Sequence, residues 1–394
     1  MRGISKNKIF SFLWLPLVLS HGVSAKDKVP NAHIEVGAKR LDTLIPILKN
    51  KSVGLVVNHT SIIDGSHLLD TLLARGIQVY KVFTPEHGFR GTADASETVN
   101  NSLDQRTGTP IISLYGKRKK PYASDLSNLD IVVFDIQDVG VRFYTYISTM
   151  HYVMEACAEN KKTFIVLDRP NPNGSYIDGP VREERLKSFL GMHPIPIVHG
   201  LTVGELAYMI NGEGWLKNSL KCDLMVMKCR NWDHNDTYTL PIKPSPNLPN
   251  QNSIYLYPSL CLFENTIMSI GRGTDTPFQV IGHPLYNSNF SFTPTSRPGA
   301  KSPKHEGETC FGDTYSGETL SPYFDIKPLM KYYKYFKKTG IAFFGKYFMN
   351  IAGTYELQEQ IEEGWTEQEI RESWQSELEA YKRIRSKYLL YEDF

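Results

Sequence analysis

Between Ser52 and Cys229, short apolar runs rich in β-branched residues alternate with longer stretches of helical period. The runs are Ser52–Asn58, Ile77–Thr84, Pro110–Tyr115, Asp130–Asp135, Thr163–Asp168 and Cys222–Cys229. Segments 66–75, 144–160 and 202–211 lie between them with helical spacing. Strands that are apolar throughout, rather than alternating with polar residues, are buried on both faces. Helices between them make the connections parallel. The pattern therefore predicts an α/β fold with a Rossmann-like, mostly parallel sheet.

Pro241–Pro249 places four prolines in nine residues, which neither a helix nor a central strand tolerates, so a domain boundary is expected close behind it. That gives a Rossmann-like catalytic domain over 33–250. A smaller α+β C-terminal domain over 251–394 is expected to close a cleft. Thr366-Glu-Gln-Glu369 reads as a capping box opening a late helix.

Arg2, Lys6 and Lys8 precede an 11-residue apolar run, Ile9–Leu19, followed by Val23-Ser-Ala25. Residues 1–25 read as a secretory signal peptide, because the run is well short of the ~20 residues that span a bilayer. The expected location is periplasmic or secreted, without a stable membrane anchor. Lys+Arg number 44 against 42 Asp+Glu, and losing residues 1–25 removes three bases and no acid. The remaining near-neutral chain lacks the basic footprint of a nucleic-acid binder. Five widely spaced cysteines form no C-x-x-C pair and read as buried structural residues.

In open parallel sheets, ligands bind beyond the carboxyl ends of the strands. Those ends are densely polar here. The first strand runs into Asn58 and His59, the second into Glu86, His87 and Arg90, the fourth into Asp135, Gln137, Asp138, Arg142 and Tyr144, and the fifth into Asp168, Arg169 and Asn171. From the later half, Glu264 and Arg272 interrupt apolar sequence. No G-x-G-x-x-G, P-loop, H-E-x-x-H or G-x-S-x-G occurs, which removes the dinucleotide, NTPase, zincin and α/β-hydrolase readings.

A cleft rich in carboxylates and amides, with Phe89, Phe143, Tyr144 and Tyr146 beside it, suits sugar recognition and acid/base chemistry on a glycosidic bond. Glu86, in a tight loop between Pro85 and Gly88, is the first choice for proton donor. Asp135 and Asp138 compete for the second carboxylate, and Asp138 is the choice. Asp168 reads as ion-paired to the adjacent Arg169. Glu205 fits a capping box with Thr202, which explains it without catalysis. No metal and no cofactor is expected. Two rivals use the same residues: a non-catalytic periplasmic binder of cell-wall sugars, and an esterase or metal-dependent hydrolase using His59, His87 and Asp135.

At these residues the sequence resembles the NamZ-type exo-β-N-acetylmuramidases, glycoside hydrolase family 171, formerly a domain of unknown function. The resemblance rests on Val56–Thr60, Pro85–Gly91, Phe134–Tyr146, Leu167–Gly174, His199–Ala207, Pro244–Pro249, Glu264-Asn265 and Gly271–Phe278. It implies an active cleft between a Rossmann-like domain and a smaller one, and a substrate drawn from peptidoglycan-derived saccharides. N-acetylmuramic acid would be removed from non-reducing ends without a cofactor, with Glu86 as the catalytic carboxylate. The lactyl carboxylate of muramic acid would explain a need for Arg90, Arg142 or Arg272.

Overall fold

The computed structural model describes residues 34–85, 89, 102–317 and 320–394. The leader reading of residues 1–25, and Glu86, His87 and Arg90, lie outside the described residues.

The strands in chain order are β1 (Ser52–Val57), β2 (Ile62–Ile63), β3 (Ser66–His67), β4 (Gln78–Thr84), β5 (Ser102–Leu103), β6 (Pro110–Ser113), β7 (Ile131–Asp135), β8 (Thr163–Leu167) and β9 (Asp223–Met227). The main sheet has the order β5-β6-β4-β1-β7-β8-β9. Every pairing in it is parallel except the antiparallel edge strand β5. Leaving β5 aside, this is the Rossmann order 3-2-1-4-5-6, as the apolar runs predict.

The strands are apolar without a break because each side chain in turn enters a different core. Leu55, Val57, Val133, Ile165 and Leu167 join one cluster, beside Leu44 and Leu48 of α1 (Leu41–Leu48) and Leu68 and Leu72 of α2 (Leu68–Ala74). Val56, Val132, Phe134, Phe164 and Val166 join the other. This second cluster takes in a short α3 (Ala123–Leu126), then α4 (Tyr146–Glu159) and α5 (Val203–Gly212). A period of two across a sheet divides one apolar run between two faces.

The second cluster continues without a break into the later half of the chain, through Ile254, Phe278, Tyr332, Phe348 and Leu378. That half begins with α6 (Gln251–Leu260), capped by Asn250 through a 2.9 Å bond from the Ser253 N–H to its side chain. It carries a three-stranded antiparallel sheet, order β10-β12-β11, from β10 (Val280–His283), β11 (Phe290–Phe292) and β12 (Cys310–Thr314). Helices α7 (Lys327–Lys337), α8 (Phe348–Ala352), α9 (Glu356–Glu363), α10 (Glu367–Ser373) and α11 (Gln375–Arg385) complete it. All five cysteines are buried free thiols. No described helix is long and apolar enough to cross a membrane.

Candidate active site

In the main sheet the chain leaves β1 towards β4 and β6, then returns to β7 on the other side of β1. The topological switch point therefore lies between β1 and β7, where Rossmann-like sheets open a crevice. Here the two strand ends are tied together instead. The Ser61 hydroxyl donates to the Asp135 carbonyl. The Thr60 hydroxyl donates to Asn58 Oδ1 at 2.6 Å and accepts the Gln137 N–H at 3.0 Å. Gln137 Nε2 donates to the Asp138 and Pro170 carbonyls, both at 2.8 Å. His59 Nε2 donates to the Lys243 carbonyl at 2.8 Å.

The guanidinium of Arg169 grips Asp135, not Asp168, with Nε to Oδ1 at 2.6 Å and Nη2 to Oδ2 at 2.9 Å. This overturns the pairing expected from sequence adjacency: Asp168 and Arg169 lie just past the end of β8, and the Arg169 side chain reaches across to Asp135 at the end of the neighbouring β7. Asp168 is met by other donors. Its Oδ1 accepts the N–H groups of Arg169 and Gly204, at 3.0 and 2.9 Å, and its Oδ2 accepts the Thr202 and Tyr391 hydroxyls, at 2.8 and 2.7 Å. Burial still pushes its carboxyl up to about 6. Asn171 is committed to the Leu201 carbonyl and the Asn173 N–H, at 2.9 and 2.8 Å. Arg142 is fully buried, and its Nη atoms donate to four carbonyls, of Pro180, Ile195, Ile351 and Ala352, at 2.6 to 3.0 Å. Both terminal nitrogens are thus spent on the backbone, and only the buried Nε has no partner among the described residues, which leaves no guanidinium fork for a substrate carboxylate.

The room for a ligand lies to one side, beyond the ends of β6 and β7, in a cavity of about 980 Å³. Of the candidates named from sequence, Tyr144, Glu264 and Arg272 line it, with Phe143 and Tyr146. Phe89 does not: it packs edge-on to His67, 4.7 Å between centroids, at a smaller cavity beside His59. The main cavity has an aromatic wall in which Tyr144 meets Tyr146 and Tyr257 edge-on at 4.9 and 5.9 Å, and Tyr257 meets Phe278 at 4.9 Å. The Tyr144 hydroxyl is anchored on the Pro244 carbonyl at 2.7 Å.

Arg272 lies over Phe278, 5.0 Å from the ring centre, and gives its Nε to Glu264 at 2.6 Å. Its two terminal nitrogens have no hydrogen-bond partner among the described residues. Lys119 and Lys301 also line the cavity, so among the described lining residues three cations face one carboxylate there. Sequence reasoning missed these lysines, and also Ser245 and Asn247, which come from the proline-rich stretch read as a boundary. Polar residues held between prolines were the available signal, because such a loop is rigid enough to form a wall.

Asp138 is buried behind this wall. One oxygen, Oδ2, accepts the Gly140 N–H at 2.7 Å, while Oδ1 has no partner among the described residues. Burial pushes the carboxyl up to about 7. Its charge acts on the Tyr144 hydroxyl, which it helps to push upward behind the larger effect of burial. Among the described residues no group of three or more His, Cys, Asp or Glu side chains could hold a metal ion.

The fold is Rossmann-like, and by its relatives the protein is a glycosidase. The chain belongs to the NamZ family of exo-β-N-acetylmuramidases: the N-terminal model of that family matches residues 53–252 and the C-terminal model residues 255–391. It is 37% identical to the peptidoglycan β-N-acetylmuramidase NamZ of Bacillus subtilis (strain 168), over 98% of this chain and 100% of that one. Two crystal structures of DUF1343 family proteins from Bacteroides fragilis NCTC 9343 share the fold. One has a TM-score of 0.86 and 44% identity, over 92% of this chain and 100% of its own. The other has 0.78 and 30%, over 91% and 99%.

Proposed function

We propose that this protein is an exo-acting glycoside hydrolase that releases N-acetylmuramic acid from the non-reducing ends of peptidoglycan chains or fragments. The substrate occupies the large cavity, between residues of the sheet and residues of the later half. Asp138 and Glu86 supply the carboxylate pair that acid/base cleavage of a glycosidic bond requires. Such a substrate lies outside the cytoplasmic membrane, which fits the reading of residues 1–25 as an export signal.

The observation that carries the reading is Arg272. Its guanidinium is oriented by Glu264 and Phe278 and keeps its terminal N–H groups for a ligand, in a cavity whose described lining carries an excess of cations. Muramic acid differs from glucosamine by a lactyl ether carrying a carboxylate, and a fork of guanidinium donors matches a carboxylate. With Arg142 committed to four carbonyls, Arg272 is the residue for that role.

The test is release of nitrophenolate from 4-nitrophenyl β-N-acetylmuramide, with the N-acetylglucosaminide as control. Turnover of the muramide is expected. Arg272→Gln is expected to lose roughly 10- to 150-fold on it, the value of one charge-assisted hydrogen-bonded contact, and little on the control. Equal losses on both would remove the carboxylate role. Saturable binding without release would mean a binding protein instead.

A further inference from the structure

The main cavity, about 980 Å³, lies at the top of the range of roughly 300–1,000 Å³ for small-molecule sites, and a single amino sugar fills only part of it. Its aromatic wall is a row and not a single platform. From Phe278 through Tyr257 and Tyr144 to Tyr146 the rings follow one another at 4.9, 5.9 and 4.9 Å. Arg272 stands at the Phe278 end of that row. A wall of this length can face several linked sugars.

The other end is built by the loop after β6 and by Phe189. Arg118, Lys119 and Lys120 follow one another in that loop, and the outer two are neutralised: Arg118 pairs with Asp125, and Lys120 with Glu155 and Glu159 at 2.6 and 2.7 Å. Lys119 pairs with no carboxylate among the described residues. Half-buried, it lies over the Phe189 ring, 4.1 Å from its centre, and both side chains line the cavity. Phe189 is fixed in turn on α4: its carbonyl accepts the Ser148 hydroxyl at 2.7 Å, and its ring stacks on Tyr152, 6.2 Å between centroids. Since α4 begins at Tyr146, a continuous chain of contacts leads from Arg272 through the aromatic row and the first turns of α4 to Lys119. The cavity thus has two points built alike, each a cation laid on a phenylalanine ring.

A peptidoglycan strand alternates N-acetylmuramic acid, which carries a carboxylate, with N-acetylglucosamine, which carries none. With the terminal carboxylate at Arg272, the second sugar is neutral and the third is anionic again. We propose that Lys119, set on Phe189, is a second anion subsite that takes the carboxylate on the third sugar, so that the enzyme favours chain ends longer than a disaccharide. This rests on the glycosidase reading above, with the released sugar at Arg272. The carboxylate is the free lactyl group of the third sugar or the carboxylate of a peptide linked to that group; to an ammonium the two are the same chemistry.

The full chain is compared with Lys119→Met and Lys119→Arg by release of N-acetylmuramic acid from the disaccharide in which it is β-1,4-linked to N-acetylglucosamine. The same disaccharide is also tested extended by N-acetylglucosamine, by a second muramic acid, or by a muramic acid bearing an alanyl-glutamate dipeptide. Lys119→Met should raise KM roughly 5- to 10-fold on the trisaccharide whose third sugar presents the recognised carboxylate, the value of a half-exposed charge contact. Its kcat should not change, because a contact remote from the breaking bond is made equally in the ground and transition states. Nothing should change on the disaccharide or the neutral trisaccharide, and Lys119→Arg should keep the KM of the unaltered chain. A loss confined to the free muramic trisaccharide identifies the lactyl group as the ligand, and one confined to the dipeptide form identifies the peptide. An unchanged KM on all four substrates would overturn the proposal, as would an equal loss on all four. Lys119 makes no hydrogen bond among the described residues, so its replacement leaves no buried group unpaired and the variant should fold. Failure of the unaltered chain to cleave any of the four would overturn the glycosidase reading itself, and that outcome is distinct from the others.

Discussion

A guanidinium is costly to bury unless its N–H groups find acceptors, and Arg142 finds four carbonyls from two distant parts of the chain. Pro180 and Ile195 belong to the loops after β8, Ile351 and Ala352 to α8. Ile351 also lines the cavity, as do Phe143 and Tyr144 just beyond Arg142, so one side chain sets the separation of two cavity walls. Gly353 has φ +81°, and a Cβ there would come 2.3 Å from Arg142 Nη2. Arg142→Met should therefore cost about 3 kcal/mol or more in a denaturant titration, since several buried carbonyls lose their donor at once. Arg142→Lys should not restore it, because an ammonium has three donors for four acceptors. None of this was legible in the sequence, where a strand-end arginine in a polar motif reads as a ligand contact. The same holds for Arg169, whose partner Asp135 lies 34 residues away on another strand. Residue identities mark which groups are polar, but packing alone decides which face the cavity.

Elements were far more legible, because helix caps and strand patterns are local. Thr202 and Glu205 form the expected capping box, with the Glu205 N–H donating to Thr202 Oγ1 at 3.2 Å and the Thr202 N–H to Glu205 Oε2 at 2.9 Å. Thr366 and Glu369 repeat it at the start of α10. Where the pattern departed from expectation, local chemistry explains it. The segment read as helical from Ser66 begins its helix at Leu68, because Ser66 and His67 pair with Ile62 and Ile63 and the His67 ring accepts the Leu69 N–H at 3.2 Å. The two-residue edge strand β5 has both residues exposed and left no apolar signal to read. The two caps differ in what else they hold: Thr202 also donates to buried Asp168, whereas Thr366 serves only its own exposed box. Thr366→Ala should cost about 1 kcal/mol, as caps usually do. Thr202→Ala should cost roughly 2–3 kcal/mol, adding the loss of a bond to a buried carboxyl. Equal costs by thermal or chemical unfolding would mean that the Asp168 contact contributes nothing.

At the scale of the whole molecule, the segment after α11 returns to the first sheet. The Leu390 N–H donates to Glu205 Oε1 at 2.8 Å, the Tyr391 hydroxyl to Asp168 at 2.7 Å, and the Cys229 N–H to the Tyr391 hydroxyl at 2.8 Å. The His234 backbone N–H donates to the Glu392 carbonyl at 3.1 Å, and Arg385 pairs with Asp393. Deleting residues 390–394 should thus lower the melting temperature of the entire chain by several degrees in one transition, because buried Asp168 and Glu205 lose donors. A chain that merely frays at this end would melt at an unchanged temperature. Sequence reading missed this segment, since nothing in Leu-Tyr-Glu-Asp-Phe marks a partner more than two hundred residues upstream.

The contact between Asp168 and Tyr391 spans 223 residues. At 5–20 residues per second of synthesis, the carboxylate at the end of β8 is made roughly 11–45 s before the hydroxyl that seals it. Until then its oxygen needs water, so the central sheet is obliged to stay open at that corner. The protein's schedule of assembly is thereby set by the most distant hydrogen bond among its described residues, and a nascent chain halted short of Tyr391 would remain a substrate for chaperones and proteases.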